Sequence, residues 1–100
     1  MALFLMIGFD RHPHQMALRD SIRQQHRDYA LANKSQIRLG GAMVDDDGNQ
    51  YGTMLVFEAE SADEVWNWVR NEPFYKAGVY ETVAVRKWNL VMGAIAEPRT

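Results

Sequence analysis

Residues Leu3–Phe9 read LFLMIGF, and both alternating sets of side chains are apolar: Leu3, Leu5, Ile7 and Phe9 on one, Phe4 and Met6 on the other. An apolar run of this length without polar alternation predicts a strand buried on two faces. The run is too short to span a membrane, has no basic segment before it and ends at Asp10, so neither a membrane helix nor a signal peptide is expected. A second stretch of the same kind is Tyr51–Ala59, with Met54 and Val56 on one face and Leu55 and Phe57 on the other.

Around these two runs the chain alternates its periods. The loop Asp10–Gln15 (DRHPHQ) leads into Ala17–Ser35, ALRDSIRQQHRDYALANKS. There Leu18, Ile22 and Tyr29 recur at helical spacing with Ala30 beside them, while Arg19, Asp20, Arg27 and Asp28 take much of the remaining circumference. Ile37–Val44 is a strand with Ile37, Leu39, Gly41 and Met43 on one face. Asp45–Asn49 (DDDGN) is a hairpin turn, since Asp-Gly suits positive φ. An EF-hand reading fails, because Gln50 stands at the glycine position and Val56 at the bidentate glutamate position. Ser61–Glu64 is a capping box that opens a short helix with Val65, Trp66 and Val69 inward and Trp68 near the edge of that face. That helix stops before Pro73. Phe74–Ala77 can add one turn closed by Gly78, and Val79–Leu90 is a long last strand. The tail Val91–Thr100 shows no period.

The order strand, helix, strand, strand, helix, strand predicts an α+β fold, a ferredoxin-like βαββαβ sandwich in one domain spanning residues 1–100. Both helices then lie on one face of the sheet. The opposite face carries the second apolar sets of the first and third strands, and a ten-residue tail is too small to cover it. A two-fold homodimer, sheet against sheet, is the expected cover, as in a dimeric α+β barrel.

Composition narrows the functions. The chain has 100 residues, 11 Lys and Arg against 13 Asp and Glu, a formal net charge of −2 and no cysteine. With no basic patch, nucleic-acid binding is disfavoured. Without cysteine there is no disulfide, thiolate nucleophile or thiolate-bound metal, which suits a cytoplasmic protein. No glycine-rich phosphate loop is present, so no nucleotide cofactor is expected. His12-Pro13-His14 lacks a placed carboxylate and reads as a loop, not a metal site. The hydroxyls of Ser21, Ser35, Thr53 and Ser61 sit in no nucleophile-elbow context. The three tryptophans, Trp66, Trp68 and Trp88, read as packing residues of the core or interface.

His26 stands out. It lies four residues after Ile22 and three before Tyr29, on or beside the apolar stripe. Two readings fit: a satisfied core or interface histidine, or a titratable group lining a pocket.

Two separated stretches resemble the YCII-related (YciI-like) family of small dimeric α+β barrel proteins. Arg23-Gln24-Gln25-His26 matches that family's Arg-x-x-His on the first helix, followed by Gly41 in the second strand. Asn71–Glu81 (NEPFYKAGVYE) resembles its Asp-Pro-[Tyr/Phe]-x-x-Ala-Gly-[Leu/Val]-[Phe/Tyr] signature, and Trp88 falls where an aromatic residue is frequent. The resemblance implies a histidine–carboxylate acid/base pair, His26 with Glu72, and a substrate pocket that includes Arg23, Gly41 and Phe74. It implies no metal and no cofactor. Two positions depart from the family pattern: Glu72 replaces an aspartate and Ala42 replaces a proline.

Independently of the family, a carboxylate at the pre-proline bend can point over the sheet toward the first helix. There it can hold one tautomer of His26 for proton transfer on a small molecule. The alternative for Glu72 is a solvated helix-end acid or a dimer salt bridge. Three functions remain open: a cofactor-free acid/base enzyme of lyase, isomerase or dehalogenase type; a non-catalytic ligand-binding or accessory domain; and a cofactor-independent monooxygenase of the same superfold.

Overall fold

The computed structural model describes residues 2–12, 14–33 and 36–96. Met1, Pro13, Lys34, Ser35 and residues 97–100 lie outside the described residues, and with them parts of the histidine loop, of the expected helical stretch Ala17–Ser35 and of the tail. The elements are β1 (Ala2–Asp10), α1 (Met16–Ala32), β2 (Ile37–Val44), β3 (Gln50–Ala59), α2 (Ala62–Arg70), the single turn α3 (Pro73–Lys76) and β4 (Tyr80–Trp88). The four strands form one antiparallel sheet in the order β2-β3-β1-β4. The doubly apolar strands β1 and β3 are therefore its two central strands, where burial on both faces is cheapest to satisfy. This is the α+β, ferredoxin-like arrangement of the dimeric α+β barrels.

The core forms between the helices and the inner face of the sheet. Phe4 and Met6 of β1, Leu55 and Phe57 of β3, Val65, Trp68 and Val69 of α2, and Val85 of β4 are buried there. The α1 stripe of Leu18, Ile22, Tyr29 and Ala30 packs against them. The Tyr29 hydroxyl donates to the Trp68 carbonyl at 2.8 Å and ties α1 to α2. Gly8 is essential to one contact: a Cβ at that position would lie 2.9 Å from the Tyr80 ring, so the bare backbone of β1 is the seat of that ring.

Turn and cap chemistry operate as the residues suggest. The Asp45 side chain accepts from the Asp47 and Asn49 amides, both at 2.9 Å, and Gly48 takes φ +84° at the exposed hairpin tip. The Ser61 hydroxyl accepts the Glu64 amide at 3.3 Å, while the Glu64 carboxylate reaches back to the Glu60 amide at 3.2 Å.

Three expectations are corrected. Arg19, read as part of the solvated circumference of α1, is only 2 % exposed. It has a buried acid waiting for it in Asp10. Trp68, placed at the edge of its helix face, is buried, whereas Trp66 is only partly buried. Trp66 instead stacks under the Arg70 guanidinium, which lies 5.6 Å from its ring centroid. Ile37 and Leu39 do not share a face. The register slips between them, so Ile37 pairs with Phe57 and joins the core, while Leu39 pairs with Val56 and is exposed. A bulge at Arg38 adds the extra residue that reverses the alternation.

The outer face carries Leu3, Leu5 and Ile7, all half-buried in the single chain, and Phe9, which is 47 % exposed. The tail crosses this face at one end. β4 is one edge strand, yet the Ala96 carbonyl accepts a hydrogen bond at 3.0 Å from Arg38 on the opposite edge strand β2. Arg38 is also paired with Glu58 at 2.9 Å.

Candidate functional site

Helix α1 brings Arg19, Arg23, His26 and Arg27 to one side, because positions 4, 7 and 8 residues apart overlie one another on a helix. That side faces the β2–β3 half of the sheet. Between them lies an open cavity of about 460 Å³. Its helical wall holds those four residues, its sheet wall includes the Gly40-Gly41 backbone, Thr53 and Leu55, and Phe74 closes one end.

His26 is fixed from two directions. Its Nδ1 is in hydrogen-bond contact with Glu72 Oε1. Its ring stacks on Phe74, with centroids 3.9 Å apart and planes 9° from parallel. Nε2 makes no hydrogen bond among the described residues, and the side chain lines the cavity. With Nδ1–H donating to a carboxylate, the lone pair is left on Nε2. That is the arrangement of a general base.

Glu72 owes this position to its neighbour in sequence. Pro73 biases it to an extended backbone, φ −78° and ψ 135°, and occupies the first position of α3. Glu72 is then the N-cap: Oε2 accepts the Tyr75 amide at 2.8 Å while Oε1 faces His26. The residue is 1 % exposed and stands behind the imidazole, not on the cavity wall.

A second buried cluster supports the first. Arg19 grips Asp10 with both arms of its guanidinium, at 2.6 Å from Nε and 2.8 Å from Nη2. Nη2 also donates to the Thr53 hydroxyl at 3.0 Å, and the Tyr80 hydroxyl donates to the same oxygen at 3.0 Å. The guanidinium carbon lies 4.9 Å from the Phe74 centroid. Phe74 thus touches both the buried cation and the imidazole. Burial opposes the Arg19 charge, but the hydrogen bond and charge of Asp10 outweigh it, and the pKa is raised. Burial, followed by the charge of Glu72, pushes both Tyr80 and Tyr29 up. Both phenols therefore remain neutral at physiological pH.

Of the residues singled out in the sequence, His26, Arg23, Gly41 and Phe74 border one cavity, and Glu72 stands directly behind it. Arg23 also contacts Asp20 one turn earlier. Sequence reasoning missed Arg19, Arg27 and Thr53. The signal for the arginines was their spacing from His26 on the same helix. Thr53 had no local signal, because its partners come from α1 and β4. Among the described residues no three His, Asp or Glu side chains converge as metal ligands, and no helix is long and apolar enough to cross a membrane.

An antiparallel sheet backed by two helices, with a part-buried histidine–carboxylate contact beside a cavity whose helical wall carries arginines, defines a small ferredoxin-like α+β protein with a pocket between helix and sheet. The chain belongs to the YCII-related domain family, which it matches over residues 2–89. It is similar to TftG, the 5-chloro-2-hydroxyhydroquinone dehydrochlorinase of Burkholderia phenoliruptrix, solved in complex with 2,5-dihydroxybenzoquinone. The identity is 36 %, the alignment covers 87 % of this chain and 93 % of TftG, and the TM-score is 0.78. A protein of Agrobacterium tumefaciens is 7 % identical over 91 % of this chain and 94 % of its own, with a TM-score of 0.56. A NIPSNAP family protein of the same organism is 12 % identical over 89 % and 91 %, with a TM-score of 0.53. These two likenesses concern the fold alone. No curated protein sequence matches the chain.

Proposed function

We propose that the protein is a cofactor-free acid/base enzyme of lyase, isomerase or dehalogenase type acting on a small polar ring, with His26 as the proton-transferring group and Glu72 as its partner. The observation that carries this reading is the His26–Glu72 contact on a ring that lines the cavity; a proton on Nδ1 facing the carboxylate would leave Nε2 with the lone pair. In this reading Nε2 takes a proton from a hydroxyl or acidic carbon of the bound ring. Glu72 stabilises the imidazolium that forms, and Phe74 holds the ring plane. In an elimination, the electron pair released by that proton moves through the ring as chloride leaves, so one proton and one chloride are lost together. Similarity to a dehydrochlorinase at 36 % identity supports this class of reaction. Arg23 and the Gly41 backbone would bound the substrate.

The working unit in this reading is a homodimer formed through the outer face of the sheet. The exposed Phe9 and Leu39, with Leu5, Ile7 and Met54 half-buried between them, support it.

The test is a thermal-shift screen of 2,5-dihydroxybenzoquinone and other small aromatic and lactone ligands against wild type and His26→Ala, with chloride release from 5-chloro-2-hydroxyhydroquinone as the activity readout. Binding to both proteins with turnover by wild type alone is expected. Binding without turnover of any ring ligand by the wild type would favour an accessory, ligand-binding role. Oxygen consumption without added cofactor would favour a monooxygenase.

A further inference from the structure

We infer that the cavity selects planar ligands carrying a delocalised negative charge, and that Arg27 supplies this preference. The inference rests on the proposed reading of the cavity as a ligand site and adds the ligand's charge class and a residue that reads it.

Three arginines at four-residue intervals, Arg19, Arg23 and Arg27, border the cavity, and no acidic side chain among the described residues does. The acids nearby are each committed elsewhere. Asp10 is held by Arg19, and Asp20 contacts Arg23. Glu72 has one oxygen on His26 and the other on the Tyr75 amide. Arg27 makes no hydrogen bond or ion pair among the described residues and is exposed at the cavity mouth. Among those residues its charge is therefore the one on the wall without a protein counter-ion.

Shape restricts the anion further. The Phe74 and His26 rings lie nearly parallel at one end. The opposite wall includes Gly40, which pairs with Leu55 on the inner face and where a Cβ would collide with Leu55 Cδ2, so the wall there is bare backbone. A flat ring fits between stacked rings and bare backbone. A guanidinium donates two parallel hydrogen bonds to a pair of oxygens that share a charge, which a single neutral hydroxyl cannot match. Ionised hydroxyquinones, enolates and aromatic carboxylates share this chemistry. Bound beside Nε2, such an anion would already have lost its most acidic proton, leaving His26 to act on the next one.

Calorimetric titration of 2,5-dihydroxybenzoquinone, a vinylogous acid ionised at neutral pH, and of its neutral 2,5-dimethoxy analogue tests the inference with wild type, Arg27→Gln, Arg27→Lys and His26→Ala. Wild type should prefer the ionised ligand. Arg27→Gln should weaken that ligand about fivefold and leave the neutral one unchanged, with Arg27→Lys in between. Arg27 is exposed, so these variants retain the fold. Equal affinity of wild type for both ligands, or an ionised-ligand affinity indifferent to Arg27→Gln, would overturn the inference while leaving the ligand site standing. If wild type binds neither ligand, the reading of the cavity fails as well, and the inference with it.

Discussion

The Phe74 ring lies face to face with the His26 imidazole, 3.9 Å away, and the same ring sits 4.9 Å from the Arg19 guanidinium carbon. One aromatic side chain therefore touches both the cation of the buried ion pair and the imidazole. Phe74→Leu keeps most of the buried volume and removes the stack. It should cost about 1–2 kcal/mol of stability and loosen ligand binding at the cavity. Urea unfolding and ligand titration of the same preparation would check both.

In the proposed reading the Glu72 contact sets the tautomer of His26. Ring-nitrogen NMR shifts of wild type at neutral pH should show Nδ1 carrying the proton and Nε2 bare. Glu72→Gln, whose amide can present either a donor or an acceptor, should mix the tautomers and lower turnover on the order of 10²-fold. A single Nδ1–H tautomer in the variant would mean that an amide oxygen at this position accepts from Nδ1 as the carboxylate does, and that the negative charge is not what selects the tautomer.

Arg19 and Asp10 should be strongly coupled. Removing one partner strands a charge in a site where Arg19 is 2 % and Asp10 8 % exposed. Arg19→Met or Asp10→Ala alone should cost about 3–5 kcal/mol, and the double substitution clearly less than the sum. A double-mutant cycle by chemical denaturation measures the difference.

Alkaline pH should destabilise the fold through Tyr80. Burial first, then the charge of Glu72, raise its folded pKa above the ordinary value of 10.0. Above that value the unfolded chain has lost the phenolic proton while the folded chain keeps it, so stability falls as pH rises. Denaturation between about pH 9 and about pH 11 should show this slope in wild type and a shallower one in Tyr80→Phe. Part of the slope will remain, because Tyr29 is raised in the same direction.

The proposed dimer predicts that Phe9→Glu yields monomers. Phe9 is 47 % exposed on the outer face, and a stable pair of subunits should bury above roughly 1,200 Å² in total there. Sedimentation equilibrium at micromolar concentration distinguishes the outcomes.

Much of the fold and site is legible from residues alone because it is local. The doubly apolar Leu3–Phe9 and Tyr51–Ala59 become the two central strands, and periodicity is a property of consecutive residues. The signature around Pro73 carries its own backbone geometry, which sets Glu72 at the capping bend, while its pairing with His26 is what the family resemblance implies. Arg19 is misread for the converse reason. An arginine on a helix looks solvated until a distant acid and a hydroxyl, Asp10 and Thr53, close around it. The bulge at Arg38 is equally hidden, since an extra residue in a strand is defined by its partner strand and not by its own sequence. Trp66 and Trp68 exchange places because two neighbouring large rings on a short helix leave the period ambiguous, and only the sheet beneath decides which one enters.

Glu72 spends one oxygen on the first turn of α3 and the other on the imidazole. Any event that changes the charge or orientation of His26 must redistribute electron density on the carboxylate that holds the Tyr75 amide. That amide proton is therefore a built-in reporter. It can be watched in a spectrum of the uniformly labelled protein without touching a cavity residue, and the proposed ligand binding and proton transfer should both move it.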